Sequence, residues 1–328
     1  NQLGQRAGAW AVYLNVFHSD IEEFLDCKKI NVDEKVRIKS LSIGVIIPDK
    51  FMKQEEKDDP YYVFYAHTVF QEYGKYLDDM DMNEMYEELV DNSKVKKKIL
   101  NAVHLLVKIA QTQKESGYPY LFFKDNANKE HALKDIGEVK FSNLCTEIMQ
   151  LSEVSDMGTY YEEDTIRRGI SCNLGSLNIV TVMENKRIKE AVKTAMESLT
   201  MVSDLTNIDM VPSIKKANEE LHSVGLGAMN LHGFFAKNFI MYESREALDF
   251  CNVFFMIVNY YSIEKSMEIA RDRNERFKDF EKSEYAKGTY FDKYTEHEYM
   301  PKTEKVKELF EGIHIPTKED WEILKGQV

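Results

Sequence analysis

The segment Ser142-Asn143-Leu144-Cys145-Thr146-Glu147-Ile148 sets an amide, a thiol and a carboxylate at alternate positions. In an extended chain successive side chains point to opposite faces. Asn143, Cys145 and Glu147 would then share one face, and Leu144, Thr146 and Ile148 the other. Such a face suits chemistry on vicinal hydroxyls. The amide can hydrogen-bond one hydroxyl, the carboxylate can take a proton, and the sulfur can do redox work. The same pattern fits an amphipathic edge strand with a half-buried cysteine, and the residues by themselves leave both readings open.

Composition narrows the setting. A chain of 328 residues can hold one large domain or two ordinary ones. Its 43% hydrophobic content, 12% aromatics and 30% charge describe a soluble globular protein. No apolar run approaches the ~20 residues of a membrane span, and the polar opening Asn1 to Arg6 is not a signal peptide. The first residue is not Met, which suggests a piece of something larger. A formal charge of −13 argues against a broad nucleic-acid face. The one basic cluster, Lys94, Lys96, Lys97 and Lys98, reads as the solvated start of a helix.

The four cysteines are too dispersed for a disulfide framework or a zinc pattern, so a reducing cytoplasmic setting is the default. Cys27, late in a helix, and Cys251, beside Phe250, Val253 and Phe254, read as small buried hydrophobes. The histidines form no H-E-x-x-H or close pair, and no metal is expected in this chain. Gly225-Leu226-Gly227 is no dinucleotide fingerprint; these glycines read as close packing at a helix start. Asp79, Asp81 and Asn83 mimic a calcium loop, but Glu84 and Val90 stand where the glycine and the bidentate Glu belong.

The elements that must position Cys145 are legible in outline. Gly8–Phe17 and Leu41–Ile47 read as strands, with Ser19 and Asp20 opening a helix between them. A helix near 50–56 and an extended stretch at 61–65 follow. Residues 83–92 and 94–116 read as helices, the second ended by Gly117 and Pro119. Tyr120–Phe123 reads as a strand, 126–142 as a loop, and 170–183 as a buried strand with its connection. Helices are expected over 187–207, 213–238, 245–274 and 302–311. Strands standing singly between helices favour an α/β fold with much parallel pairing.

Ser142 to Ile148 (SNLCTEI) resembles the catalytic finger-loop motif of ribonucleotide reductase large subunits. Ile170 to Ser176 (ISCNLGS) resembles the segment carrying one of that family's two reducing cysteines. Gln2 to Leu14, Glu115 to Pro119, Gly225 to Met229 and Tyr285 to Tyr294 resemble the class Ib form in the same order. The likeness covers nearly the whole chain.

The resemblance implies that residues 1–328 are part of a catalytic domain built on a ten-stranded α/β barrel, with Cys145 on an internal loop. Cys145 would carry a transient thiyl radical that takes the substrate's 3′-hydrogen. Glu147 would be the base toward the 3′-hydroxyl, and Asn143 would hydrogen-bond the ribose. Cys172 would be one of two thiols that end as a disulfide, its partner lying upstream of this chain. Cys145 and Cys172 are expected in one pocket but not bonded to each other. Thr146 departs from the family's usual residue, at a position expected to face away from the chemistry. Leu144, Ile148 and Leu174 are expected to keep water from the sulfur, and partial burial to raise the Glu147 pKa. Gln2 and Arg6 would lie in a loop coupling a bound dNTP or ATP effector to the choice of base.

The implied partners are a ribonucleoside diphosphate substrate, a small subunit bearing a metal-radical cofactor, and a thioredoxin-like or glutaredoxin-like reductant. Complementary segments of the large subunit and a homodimer when complete are implied too, with no nucleic acid and no membrane. Lacking the family's phosphate loop and relay tyrosines, the chain alone is expected to be inactive and to bind the diphosphate weakly. The rival expectation is a non-catalytic structural or assembly fragment.

Overall fold

A run that is apolar at nearly every position asks for cover on both faces, and Leu41–Ile47 (LSIGVII) receives it. The computed structural model describes residues 4, 5, 7–57 and 60–328, and the chain forms two compact units, Asn1–Leu151 and Ser152–Val328.

The first unit runs β1 (Trp10–Asn15), α1 (Ile21–Asp26), β2 (Leu41–Ile47), α2 (Asp49–Lys57), β3 (Pro60–Phe64), α3 (Ala66–Tyr73), α4 (Met82–Asp91), β4 (Lys97–Asn101), α5 (Ala102–Ser116), β5 (Tyr120–Phe123) and α6 (Lys124–Glu130). Strands β1, β2 and β5 form a parallel sheet in that order, with Tyr13 opposite Gly44 and Ile46 opposite Phe122. Alternation along β2 separates two cores. Val45 and Ile47 join Phe17, Phe51 and Tyr61, whereas Ile46 packs with Phe122, Val139 and Leu151. Strands β3 and β4 pair antiparallel as a separate ribbon.

The second unit runs β6 (Leu174–Asn178), α7 (Ile179–Glu184), α8 (Ile188–Leu205), α9 (Pro212–Leu221), β7 (Gly225–Met229), α10 (Leu231–Lys237) and α11 (Arg245–Arg273), then shorter helices ending with Lys318–Gln327. Strands β6 and β7 pair in parallel. Helix α11 is the spine. Its Phe250 stacks at 4.6 Å on Phe234 and lies 5.5 Å from both Phe254 and Phe310. Lys193 of α8 bridges Glu264 and Glu268 of α11 at 2.6 Å each. Ser244 caps the start of α11 through the Ala247 N–H, and Asn274 ends it in the left-handed conformation.

Parallel α/β organisation is as expected from the sequence. Among the described residues the strands form sheets of three, two and two, and none closes into a barrel.

Four elements differ from expectation, one of them the loop expected over 126–142, which opens inside α6 because that helix runs to Glu130. The helix expected over 94–116 begins only at Ala102, because 97–101 pairs with β3 and Asn101 caps α5 through the His104 N–H. Ile99, which stands at helical spacing with Val95 and Val103, is 62% exposed on β4. The basic cluster therefore lies before and within a strand. The helix expected over 213–238 is broken by β7, with His222 ending α9 in the left-handed conformation. A Cβ on Gly225 would stand 2.4 Å from the Leu174 side chain, so its glycine serves close strand pairing, not a helix start. The expected buried strand over 170–183 is the short β6, of which only Leu177 is buried, followed by α7.

Candidate active site

The chain after α6 returns over the sheet face that carries Ile46 and Phe122, held there by Leu133, Ile136, Val139 and Leu151. This path delivers residues 142–148 to Tyr13 of β1. The segment is not extended. The Thr146 N–H donates to the Asn143 carbonyl at 3.2 Å, and Thr146 has a φ of +66°. The alternation that placed Asn143, Cys145 and Glu147 on one face of a strand is thus overturned.

The cause is Asn143 itself. Its Oδ1 accepts from the backbone N–H groups of Glu147 and Ile148, each at 3.1 Å. A short amide side chain that captures nearby backbone donors competes with strand pairing and favours a turn. Buried Ser142 closes the base by donating from Oγ to the Ile148 carbonyl at 2.8 Å. The amide, thiol and carboxylate are therefore held in one closed turn, by a route other than strand alternation.

Within that turn Cys145 and Glu147 are exposed, Asn143 and Leu144 are half-buried, and Ile148 is buried. The partial burial expected for Glu147 is absent, and among the described residues of the first unit no apolar sheath covers the exposed Cys145. Leu174, assigned to that sheath, belongs to the second unit and is half exposed.

Thr146 is not a bystander. A β-branched residue in the left-handed region costs roughly 1–2 kcal/mol, and here its hydroxyl is tied to the sheet. The Tyr13 hydroxyl donates to the Asn143 carbonyl at 2.8 Å and lies 3.0 Å from Thr146 Oγ1. With its one proton spent on Asn143, the phenol oxygen accepts from Thr146. Burial holds the Tyr13 hydroxyl above its ordinary pKa, with smaller pushes from Glu147 and Cys145. The ring fits because Gly44 lies beneath it: a Cβ there would stand 2.3 Å from the ring. A glycine inside a strand marks such a close approach, and LSIGVII carries that signal without saying which ring approaches.

His131 ties down the far end of the same segment. Its Nδ1 accepts the Leu133 N–H at 3.1 Å, and its Nε2 lies 2.9 Å from the Met149 carbonyl. An accepting Nδ1 and a donating Nε2 require the neutral ring. Burial lowers the His131 pKa, outweighing the opposing Met149 bond. A folded-state pKa below the unfolded one gives stability that is present above the unfolded value, about 6.5, and lost as pH falls through the folded one. An NMR titration of the His131 ring should therefore give a midpoint below 6.5. Amide protection near Leu133 should fall in the same acid range, and a midpoint above 6.5 would contradict this geometry.

Cys172 lies in the second unit, exposed, two residues before β6. Next to it, Asn173 donates to the Leu199 carbonyl at 2.8 Å and accepts the Gly225 N–H at 2.9 Å, which fixes the start of the β6–β7 pair. Gln2 and Arg6 fall outside the described residues. Cys27 is buried and Cys251 half-buried, and burial pushes both thiols up. Among the described residues no three His, Cys, Asp or Glu side chains converge as a metal site, and no helix is long and apolar enough to cross a membrane.

Comparison with known proteins gives consistent matches along the chain. The family model for "Ribonucleotide reductase, barrel domain" matches residues 1–328. The ribonucleoside-diphosphate reductase subunit alpha of Bacillus subtilis (strain 168) is 56% identical over 328 residues, which is 100% of this chain and 47% of that protein. The subunit alpha of Mycoplasma pneumoniae is 46% identical over 330 residues, 99% of this chain and 45% of that protein. That of Treponema pallidum is 31% identical over 311 residues, covering 89% and 37%. The chain spans about half the length, or less, of these curated relatives.

Proposed function

The chain belongs to the ribonucleotide reductase family through its barrel domain, and from that membership we propose that it is a segment of a large, catalytic subunit that reduces ribonucleoside diphosphates. Both compact units are parts of one barrel domain in this reading. Its ten-stranded barrel is closed by segments outside this chain, and the Cys145 turn is its finger loop.

Each residue then has a task. Cys145, as a thiyl radical, takes the hydrogen atom from C3′. Glu147 accepts the proton of the 3′-hydroxyl, and the Asn143 amide nitrogen donates to a ribose hydroxyl while its oxygen builds the turn. The 2′-hydroxyl leaves as water. Cys172 and a second thiol supply two electrons and two protons, ending as a disulfide, and Cys145 returns its hydrogen to C3′. The exposure of Cys145 and Glu147 in this chain means that the remaining segments and the substrate must exclude water there.

The metal-radical cofactor of a small subunit supplies the oxidising equivalent that makes Cys145 a radical. A thioredoxin-like or glutaredoxin-like protein re-reduces the disulfide. Gln2 and Arg6 couple a dNTP or ATP effector to the choice of base, and the complete subunit is a homodimer.

The observation that supports this reading most is 56% identity across all 328 residues to one reductase subunit. The test is reconstitution: the chain is combined with the complementary segments of the subunit, a small subunit and a dithiol reductant. Formation of deoxyribonucleotide is expected only when the chain is present. An assembled, folded complex without product would favour the non-catalytic fragment instead.

A further inference from the structure

The internal ties of the Cys145 turn, from Asn143 Oδ1 and Ser142 Oγ, close it upon itself but do not fix it to the sheet. The Tyr13 hydroxyl does, reaching across from β1 to Asn143 and Thr146, the residues that bracket Leu144 and Cys145. We propose that Tyr13, seated over Gly44, is a positioning residue that clamps the Cys145 turn to the parallel sheet and so sets the direction of its thiol. The role deepens the reading of Cys145 as the reacting sulfur and rests on it for its catalytic consequence.

Three observations carry the assignment. Tyr13 stands opposite Gly44 in the β1–β2 register, and the space its ring needs exists because position 44 lacks a Cβ. Its hydroxyl acts as donor to one flank of Cys145 and acceptor from the other, so a single atom fixes both ends of the Leu144–Cys145 span. Thr146 holds a left-handed backbone that its side chain disfavours, and the Tyr13 contact helps offset that cost. Burial keeps the phenol protonated through neutral pH, so the donor to Asn143 persists under working conditions. The Phe141 ring, 6.0 Å away, flanks the tyrosine ring beside the turn.

The clamp is tested first without catalysis, in the full 328-residue chain, by amide hydrogen exchange of Tyr13→Phe. Two lost hydrogen bonds at a part-buried site should speed exchange at Glu147 and Ile148 about tenfold. Amides of the sheet ladder, such as Val16 bonded to Ile46, should keep their protection. Thr146→Ser, which retains the hydroxyl, should preserve protection in the turn. Unchanged exchange at Glu147 and Ile148 overturns the proposal. Equal loosening of the sheet overturns it too, because Tyr13 would then be an ordinary packing residue.

The second arm uses the reconstituted enzyme. There Tyr13→Phe should lower kcat at least fivefold with KM within twofold, because the substrate contacts remain while the sulfur is misaimed. A loosened turn with unchanged kcat overturns the positioning role. Cys145→Ser run alongside reads the underlying assignment separately: if it keeps full turnover, that assignment fails whatever Tyr13→Phe does.

Discussion

Cys145→Ser in the reconstituted enzyme is expected to abolish turnover while leaving folding and substrate binding nearly unchanged. The side chain is exposed on a turn whose described ties come from Asn143, Ser142 and Tyr13, so exchanging sulfur for oxygen removes little packing. An alcohol holds its hydrogen more tightly than a thiol and cannot take the radical role. Cys172→Ser should fail differently. The radical can still form and the reaction start, but the electrons that complete reduction are missing, so the enzyme should stall after engaging substrate. Cys251→Ser should do neither, costing only about 1–2 kcal/mol for a hydroxyl placed among apolar neighbours. Circular dichroism and substrate binding, measured beside turnover, separate these three outcomes.

Trp321→Ala carries the largest expected stability cost. Trp321 is 1% exposed, stacks on Tyr294 with ring centroids 4.0 Å apart, and meets Tyr260 edge-on at 5.0 Å. Its helix, Lys318–Gln327, is fixed at the start by a capping box between Thr317 and Asp320, so the neighbours have little freedom to collapse into the space. Emptying such a site costs about 3–5 kcal/mol, against a typical domain total of about 5–15 kcal/mol. Trp321→Phe should cost far less than the ring-size loss alone suggests. The buried Trp321 Nε1 has no hydrogen-bond partner among the described residues, and removing it relieves about 1–3 kcal/mol of desolvation penalty. Urea unfolding of both variants checks this. A phenylalanine as damaging as alanine would show that the indole N–H does have a partner.

Local patterns made part of this structure legible in the sequence. Leu41–Ile47 reads as a fully covered strand because every position but glycine and serine is apolar, and it forms β2 with those bounds. The helix expected over 245–274 forms as α11 over Arg245–Arg273. Where the reading failed, a distant partner overrode a local period. Ile99 falls at helical spacing with Val95 and Val103, yet β3 draws 97–101 into a ribbon. Gly225 and Gly227 look like helix packing until Leu174 and Ser176 of β6 pair with them.

The candidate site shows the same division. The residue types at Asn143, Cys145 and Glu147 were visible, and so was the chemistry they suit. The arrangement was not, because a two-residue alternation cannot reveal that Asn143 will turn on its own backbone. Nor could it reveal that Tyr13, 130 positions earlier, holds the result. The Gly44 that admits the tyrosine ring was in plain view, but its meaning depends on register, which one strand does not disclose.

The most direct test is turnover of a ribonucleoside diphosphate by wild type, Cys145→Ser, Cys172→Ser and Cys251→Ser, reconstituted and assayed side by side. No product above background is expected for Cys145→Ser, at most a stalled first reaction for Cys172→Ser, and near wild-type rates for Cys251→Ser. If Cys145→Ser kept even about a tenth of wild-type turnover, a difference of only ~1.4 kcal/mol in barrier, Cys145 would not be the radical-bearing residue.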